Sequence, residues 1–223
     1  MSEERTEITA PEFLEHHLIP GIKKMIEQGF DYLAFPLIAQ TVELIGSFFD
    51  TNPLDQSGIE ATKRVDRFKN GIKHLFSDSA YKNNQGKFYE NLRCFFAHQM
   101  RPGGGFLLTS EKNGFTRSQH LKNSDSGDRI LIIECFFSDL EKATKKLLNE
   151  IKKDQGKIDK NKVSQVFLVV KTIQFTSGGT TLNAKVSAFE APAFSTYQSP
   201  PSDPSESRAD EPGPGTAYST QFP

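Results

Sequence analysis

Arg93 and His98, in the stretch NLRCFFAHQMRPGGG (residues 91–105), are the pair whose types and spacing most directly suggest chemistry. Arginine presents a planar, permanently charged fork of donors that matches phosphate oxygens. Histidine can take or give a proton near neutral pH. Together they could cleave RNA through its own 2′-hydroxyl without a metal. Their spacing does not stack them, because five steps of an ideal α-helix turn about 140° and rise about 7.5 Å. They could meet one ligand because arginine is long, because the helix ends near His98, or because two copies of the chain share a cleft. The plainer alternative is packing, with Leu92, Phe95 and Phe96 filling a core and Arg93 and His98 forming the polar side of the same helix.

The elements that must position this pair read as helices. Thr9 can cap a helix over 10–28, with Pro11 and Glu12 in its first turn and Pro20-Gly21 predicting a kink or break. Residues 31–49 are apolar on most sides, which predicts a central core helix. Residues 57–76 form a third helix, with Ser57 and Glu60 spaced as a capping box and Arg64, Arg67, Lys69 and Lys73 among its polar positions. The loop SDSAYKNNQG follows, and residues 87–99 form the fourth helix, carrying the motif. The run GFLLTSEKNGF predicts a small β-hairpin around Asn113-Gly114. Residues 130–133 could add a short strand, 135–153 a long helix, and 166–170 either strand or helix.

The string FYENLRCFFAHQMR, residues 88–101, resembles the signature of the HEPN superfamily (higher eukaryotes and prokaryotes nucleotide-binding). In its bacterial branch the motif helix reads roughly Y-x-x-L-R-C-x-x-x-H-x-x-R. Tyr89, Leu92, Arg93, Cys94, His98 and Arg101 match, and Gln99 falls at an often polar position. The resemblance spans about residues 10–155 and is specific only at the motif. It implies a mainly α fold, a helical bundle with a small β-hairpin insertion, that forms a homodimer with its motif helices facing one another. Many members are metal-independent endoribonucleases, often toxins with an antitoxin partner or antiviral defence effectors. Others have lost activity and bind RNA, nucleotides or protein partners. Carried onto this chain, Arg93 and His98 are the catalytic pair, and Tyr89, Gln99 and Arg101 contact substrate. In active families the position after the arginine is frequently Asn, Asp or His, whereas here it is Cys94. No cofactor or metal is implied.

Composition narrows the classes. The chain has 223 residues and a net charge of −1, so any nucleic-acid binding must come from a local patch. Residues 141–162 are net +4. Their lysines, Lys142, Lys145, Lys146, Lys152 and Lys153 among them, read first as a solvated helix face; the functional alternative is a salt-sensitive strip for the RNA backbone. Cys94 and Cys135 sit in apolar runs and suit a reducing compartment. With no signal-like N-terminus and no apolar run near the roughly 20 residues of a bilayer span, a cytoplasmic protein without a membrane partner is expected. His16-His17 and His74 read as solvated, and His120 lies in a loop with no spacing argument attached. Gly103 to Gly105 lack the context of a P-loop and read as a turn. Residues 1–170 are expected to form the helical domain and residues 171–223, rich in Pro and Ser, a disordered tail.

Overall fold

The structure is a computed structural model that describes residues 2–54, 60–153, 158–177 and 180–190, with side chains described between 6 and 169. Strand β1 (Ser2–Thr9) leads into α1 (residues 10–27) through the expected cap: Thr9 N–H donates to Glu12 Oε2 at 2.8 Å, completing a capping box, and Pro11 sits in the first turn. The helix is not broken at Pro20-Gly21, where a kink or break is expected. Leu14–Leu18 instead form a π turn, in which Ile19 N–H reaches back five residues to Leu14 O. The chain thus passes the proline without a partner for its missing N–H, and the helix continues to Glu27.

Helix α2 (Asp31–Gly46), extended by a 3₁₀ turn at Ser47–Phe49, is the predicted central helix. Residues 31–49 are long and apolar enough by composition to cross a membrane, contrary to the expectation of no such run, yet 61% of that segment is buried inside the bundle. Helix α3 (Ala61–Leu75) crosses it closely. A Cβ added to Gly46 would lie 1.7 Å from Arg67 O, and one added to Gly71 2.4 Å from Val42 O. The two backbones touch because both crossing points are glycine. The proposed Ser57 cap lies outside the described residues. Arg67, expected on the polar face of α3, is fully buried: its Nε donates to Asp50 Oδ2 at 2.7 Å and Nη2 to Pro53 O at 2.6 Å. Buried Lys162 donates to the same Asp50 from across the chain. Burial raises the Asp50 pKa, but the two cations more than reverse this and hold it below its ordinary value.

Two short helices replace parts of the expected loop: α4 (Ser79–Asn83), capped by Asp78, and the start of α5 (residues 85–99), the motif helix. The fold is mainly α with a small two-stranded sheet, but the sheet is not a hairpin. Strand β2 (Phe106–Thr109) pairs in parallel with β3 (Arg129–Ile132), and the segment around Asn113-Gly114 forms a 3₁₀ turn. The Asn-Gly turn is real, with Gly114 at φ +82°, but Phe115 packs beside Ile130, Ile132 and Cys135 instead of pairing back. Helix α6 (Ile133–Lys152) starts directly from β3 and packs on α2 and α3. A second sheet joins β1 to β4 (Val166–Ser177) and β5 (Thr180–Glu190), antiparallel in the order β1-β4-β5, after a one-turn helix α7 (Lys160–Ser164). The boundary expected at residue 171 therefore falls inside β4, and residues 191–223 lie outside the described residues.

The core explains these directions. Leu14, Ile38, Val42, Phe68, Phe88, Leu92, Phe96, Phe136 and Leu140 form one continuous apolar cluster. Helix α5 runs antiparallel to α2: Arg93 meets Glu43, and further along Phe96 packs edge-on against Tyr32. Helices α2 and α6 begin together, since Lys112 donates to Ile26 O and Glu111 N–H to Glu134. They end together, since Phe49 stacks on His74 and Lys146 donates to His74 O.

Candidate functional site

The motif helix carries a second π turn, Tyr89–Cys94, in which Phe95 N–H reaches Glu90 O. Such widened turns re-aim side chains and occur frequently at functional sites. Arg93 sits at its end with its side chain 13% exposed, and its Nε donates to Glu43 Oε2 at 2.5 Å. Glu43 lies on the buried face of α2 at 1% exposure, and its other carboxylate oxygen has no partner among the described residues. The Arg93 guanidinium also lies 5.9 Å from the Tyr89 ring centroid. Burial lowers the Arg93 pKa, and Glu43 raises it by more, so the cation is held above its ordinary value. Anchored through Nε, Arg93 has no partner among the described residues for its two terminal amino groups, the edge a phosphate would take.

His98 lies beyond the π turn, in the α-helical segment Phe95–Gln99, and is solvent-exposed. Within one chain Arg93 faces inward to Glu43 and His98 outward, so the two do not share a face. Gln99 and Arg101 are exposed and bonded to each other at 3.0 Å, while Tyr89 is buried with its ring edge-on to Phe68. Met100 ends the helix in the left-handed region, at φ 52°. Gly103 returns to the helix through its N–H to Asn91 O at 2.7 Å, and a Cβ there would meet Asn91 Oδ1 at 2.4 Å, so the first glycine of the run is a docking point. Around this helix end Phe30, Tyr32, Leu33 and Met100 are exposed, and Tyr32 donates to Met100 O. Large apolar side chains gathered at one edge mark a surface suited to association.

A second cluster has no counterpart in the motif. His120 Nδ1 accepts the N–H of Ile132 at 3.1 Å, so the neutral ring carries its proton on Nε2, which donates to the Tyr81 hydroxyl at 2.8 Å. Tyr81 in turn donates to Asp139 Oδ2 at 3.3 Å. Asp139 Oδ1 receives Arg117 at 2.7 Å and Lys142 at 3.1 Å. Burial first, and Arg117 next, push the His120 pKa down to about 4 against the opposing pull of Asp139. Burial and Asp139 push the Tyr81 phenol well up. The backbone beside His120 is strained: Leu121 is a buried non-glycine at φ 64°, held by its N–H to Ile130 O and by Arg129 donating to its carbonyl. Tyr81, His120 and Asp139 lie on three separate elements, and no periodic signal joins them. The single clue in the sequence is a histidine in a loop next to an arginine. Arg117, Lys142, Asp139 and Tyr81, with Ser77, Asp78, Leu75 and Phe76, line a cavity of about 340 Å³.

The α6 lysines project from the same helix. Lys142, Lys145, Lys146 and Lys153, with Asn149 and Glu150, line a groove of about 470 Å³. His16 and His17 are exposed, and His74 is partly covered by Phe49. Cys94 and Cys135 are both free thiols. Among the described residues no group of three or more His, Cys, Asp or Glu could hold a metal ion. No family model, curated protein or solved structure matches this chain.

Proposed function

We propose that the chain is a metal-independent endoribonuclease of the HEPN type, working in the cytoplasm as a homodimer joined at the motif helices, with toxin or defence action restrained by a partner protein. The observation that carries this reading is the end of α5. Arg93 is anchored from behind by Glu43, and His98 stands exposed beside the apolar edge formed by Phe30, Tyr32, Leu33 and Met100. A second copy docked on that edge brings the two exposed histidines together, with each Arg93 offering its terminal amino groups while its Nε stays on Glu43. There one His98 takes the proton of the 2′-hydroxyl, and the 2′-oxygen attacks phosphorus. The bond to the 5′-oxygen breaks, and that oxygen takes a proton from the other copy's histidine. Arg93 stabilises the charge gathering on the phosphate oxygens. The products are a 2′,3′-cyclic phosphate and a 5′-hydroxyl.

The test is incubation with total RNA and tRNA in EDTA. Wild type leaves 2′,3′-cyclic phosphate ends, and His98→Ala, with unchanged circular dichroism and sedimentation, leaves the RNA intact. An intact wild-type dimer that cuts nothing overturns the cleavage reading. The second reading, a silent RNA-binding module, is favoured by Cys94 and by the commitment of Arg93 Nε to a buried carboxylate. It predicts RNA binding indifferent to His98→Ala.

A further inference from the structure

The groove of Lys142, Lys145, Lys146 and Lys153 and the cavity of Arg117 and Asp139 share Lys142, so they run on from each other along one face of α6. From Asp139 to Lys153 that helix rises roughly 21 Å. Lys146, donating to His74 O, ties this face of α6 to the end of α3. The head of the groove is held in place: Arg117 and Lys142 are both bonded to Asp139 Oδ1, and the other Asp139 oxygen is fixed by Tyr81, which His120 backs. A solvated lysine face has no such buried support.

We propose that this groove binds the sugar–phosphate backbone of single-stranded RNA, with Arg117 and the α6 lysines on the phosphates and Asn149 on a sugar or base edge. Tyr81, His120 and Asp139 are positioning residues. A row of lysines along one helix face suits a strand whose phosphates it can track. An anionic membrane suits it poorly. A membrane-surface helix presents large apolar side chains among its cations, whereas the apolar stripe of α6 is buried and the exposed large apolar residues, Phe30, Tyr32, Leu33, Met100 and Leu107, lie on other elements. Lys146, midway along the groove, lies near the Phe49 end of α2, whereas the motif helix ends near Tyr32. The inference rests on the reading above only for its choice of RNA as the polyanion.

The experiment is fluorescence anisotropy of a labelled short uridine oligomer with the full chain in EDTA, on the His98→Ala background so that the probe survives. Lys142→Glu/Lys145→Glu/Lys153→Glu is expected to weaken binding at least tenfold at about 50 mM salt. It should flatten the dependence of log affinity on log salt by about 2, three single-strand phosphate contacts at roughly 0.7 each. Lys23→Glu/Lys24→Glu/Lys63→Glu, an equal charge change elsewhere, should stay within about twofold. Unchanged affinity in the groove variant, or an equal loss in the control, overturns the proposal. So does groove-dependent binding to vesicles of anionic phospholipid without binding to the oligomer. Groove-dependent RNA binding by a wild type that cleaves nothing supports the groove while removing the cleavage reading.

Discussion

At the end of α5 the arginine is half-buried against Glu43 while the histidine has no hydrogen-bond partner among the described residues and faces water. Around Tyr81, by contrast, the neutral histidine, the phenol and the carboxylate each have a partner, and the chain of hydrogen bonds ends on two exposed cations. The first region has chemically suggestive residues that are left open among the described residues. The second is complete within one chain. A polar network satisfied internally fixes geometry, and one left open is available to bind. The difference is physical: one region has an exposed histidine with no partner among the described residues, and the other a network closed within the chain.

The change that breaks both regions at once is Gly46→Ala. Its Cβ would overlap Arg67 O, which is backbone and cannot rotate away, so α2 and α3 must separate. A loss of more than about 3 kcal/mol is expected in the unfolding free energy measured by urea titration, with both sites disturbed. Next comes Arg93→Ala, which strands Glu43 in the core. About 3 kcal/mol should be lost, and Glu43→Gln on top should return a good part of it. If Arg93→Ala unfolds no more easily than wild type, the anchoring role of Glu43 is wrong.

The pH dependence separates the regions further. The folded pKa of His120, about 4, lies below its ordinary 6.5. Between those values the unfolded chain binds a proton that the folded chain does not. Stability is therefore full above about pH 6.5 and falls as the pH drops toward 4, by up to about 3 kcal/mol. The Asp50 carboxyl, held below its ordinary value, adds its loss only at lower pH. In His120→Gln, whose amide can still accept from Ile132 and donate to Tyr81, most of the fall between pH 6.5 and 4 should vanish. Equal slopes in the two proteins would show that His120 titrates normally.

Arg117→Gln, which cuts one exposed ion pair to Asp139, should cost less than about 1 kcal/mol, a cost that shrinks with added salt. His98→Ala should be the smallest of all, within about 0.5 kcal/mol of wild type. That near-neutrality makes His98 the clean probe of cleavage and Arg93 a confounded one.

The helices were legible because their apolar residues repeat every three or four positions. The Thr9 cap, the greasy central helix and the Leu92–Phe96 stripe can all be read along the chain. Parallel pairing of β2 with β3 was not. Asn113-Gly114 announces a turn, but only the packing of Phe115 and the start of α6 decide that the strand after it pairs from residue 129. The part of β4 beyond residue 170 and all of β5 were read as tail because the residues after 192 dominate the composition of that stretch, and composition averages over a boundary that strand pairing sets locally.

By itself the sequence determined the helical class, the place of the motif at a helix end, and the local excess of lysine after residue 141, since these depend on residues near one another in the chain. The tertiary structure alone decided that Arg67 is a buried ion-pair partner and not a surface cation, and that Glu43 stands behind Arg93. It alone also joined Tyr81, His120 and Asp139 into one network at the head of the lysine groove. Those outcomes depend on which faces of separate elements meet, and burial and hydrogen-bond partnership arise only from that meeting.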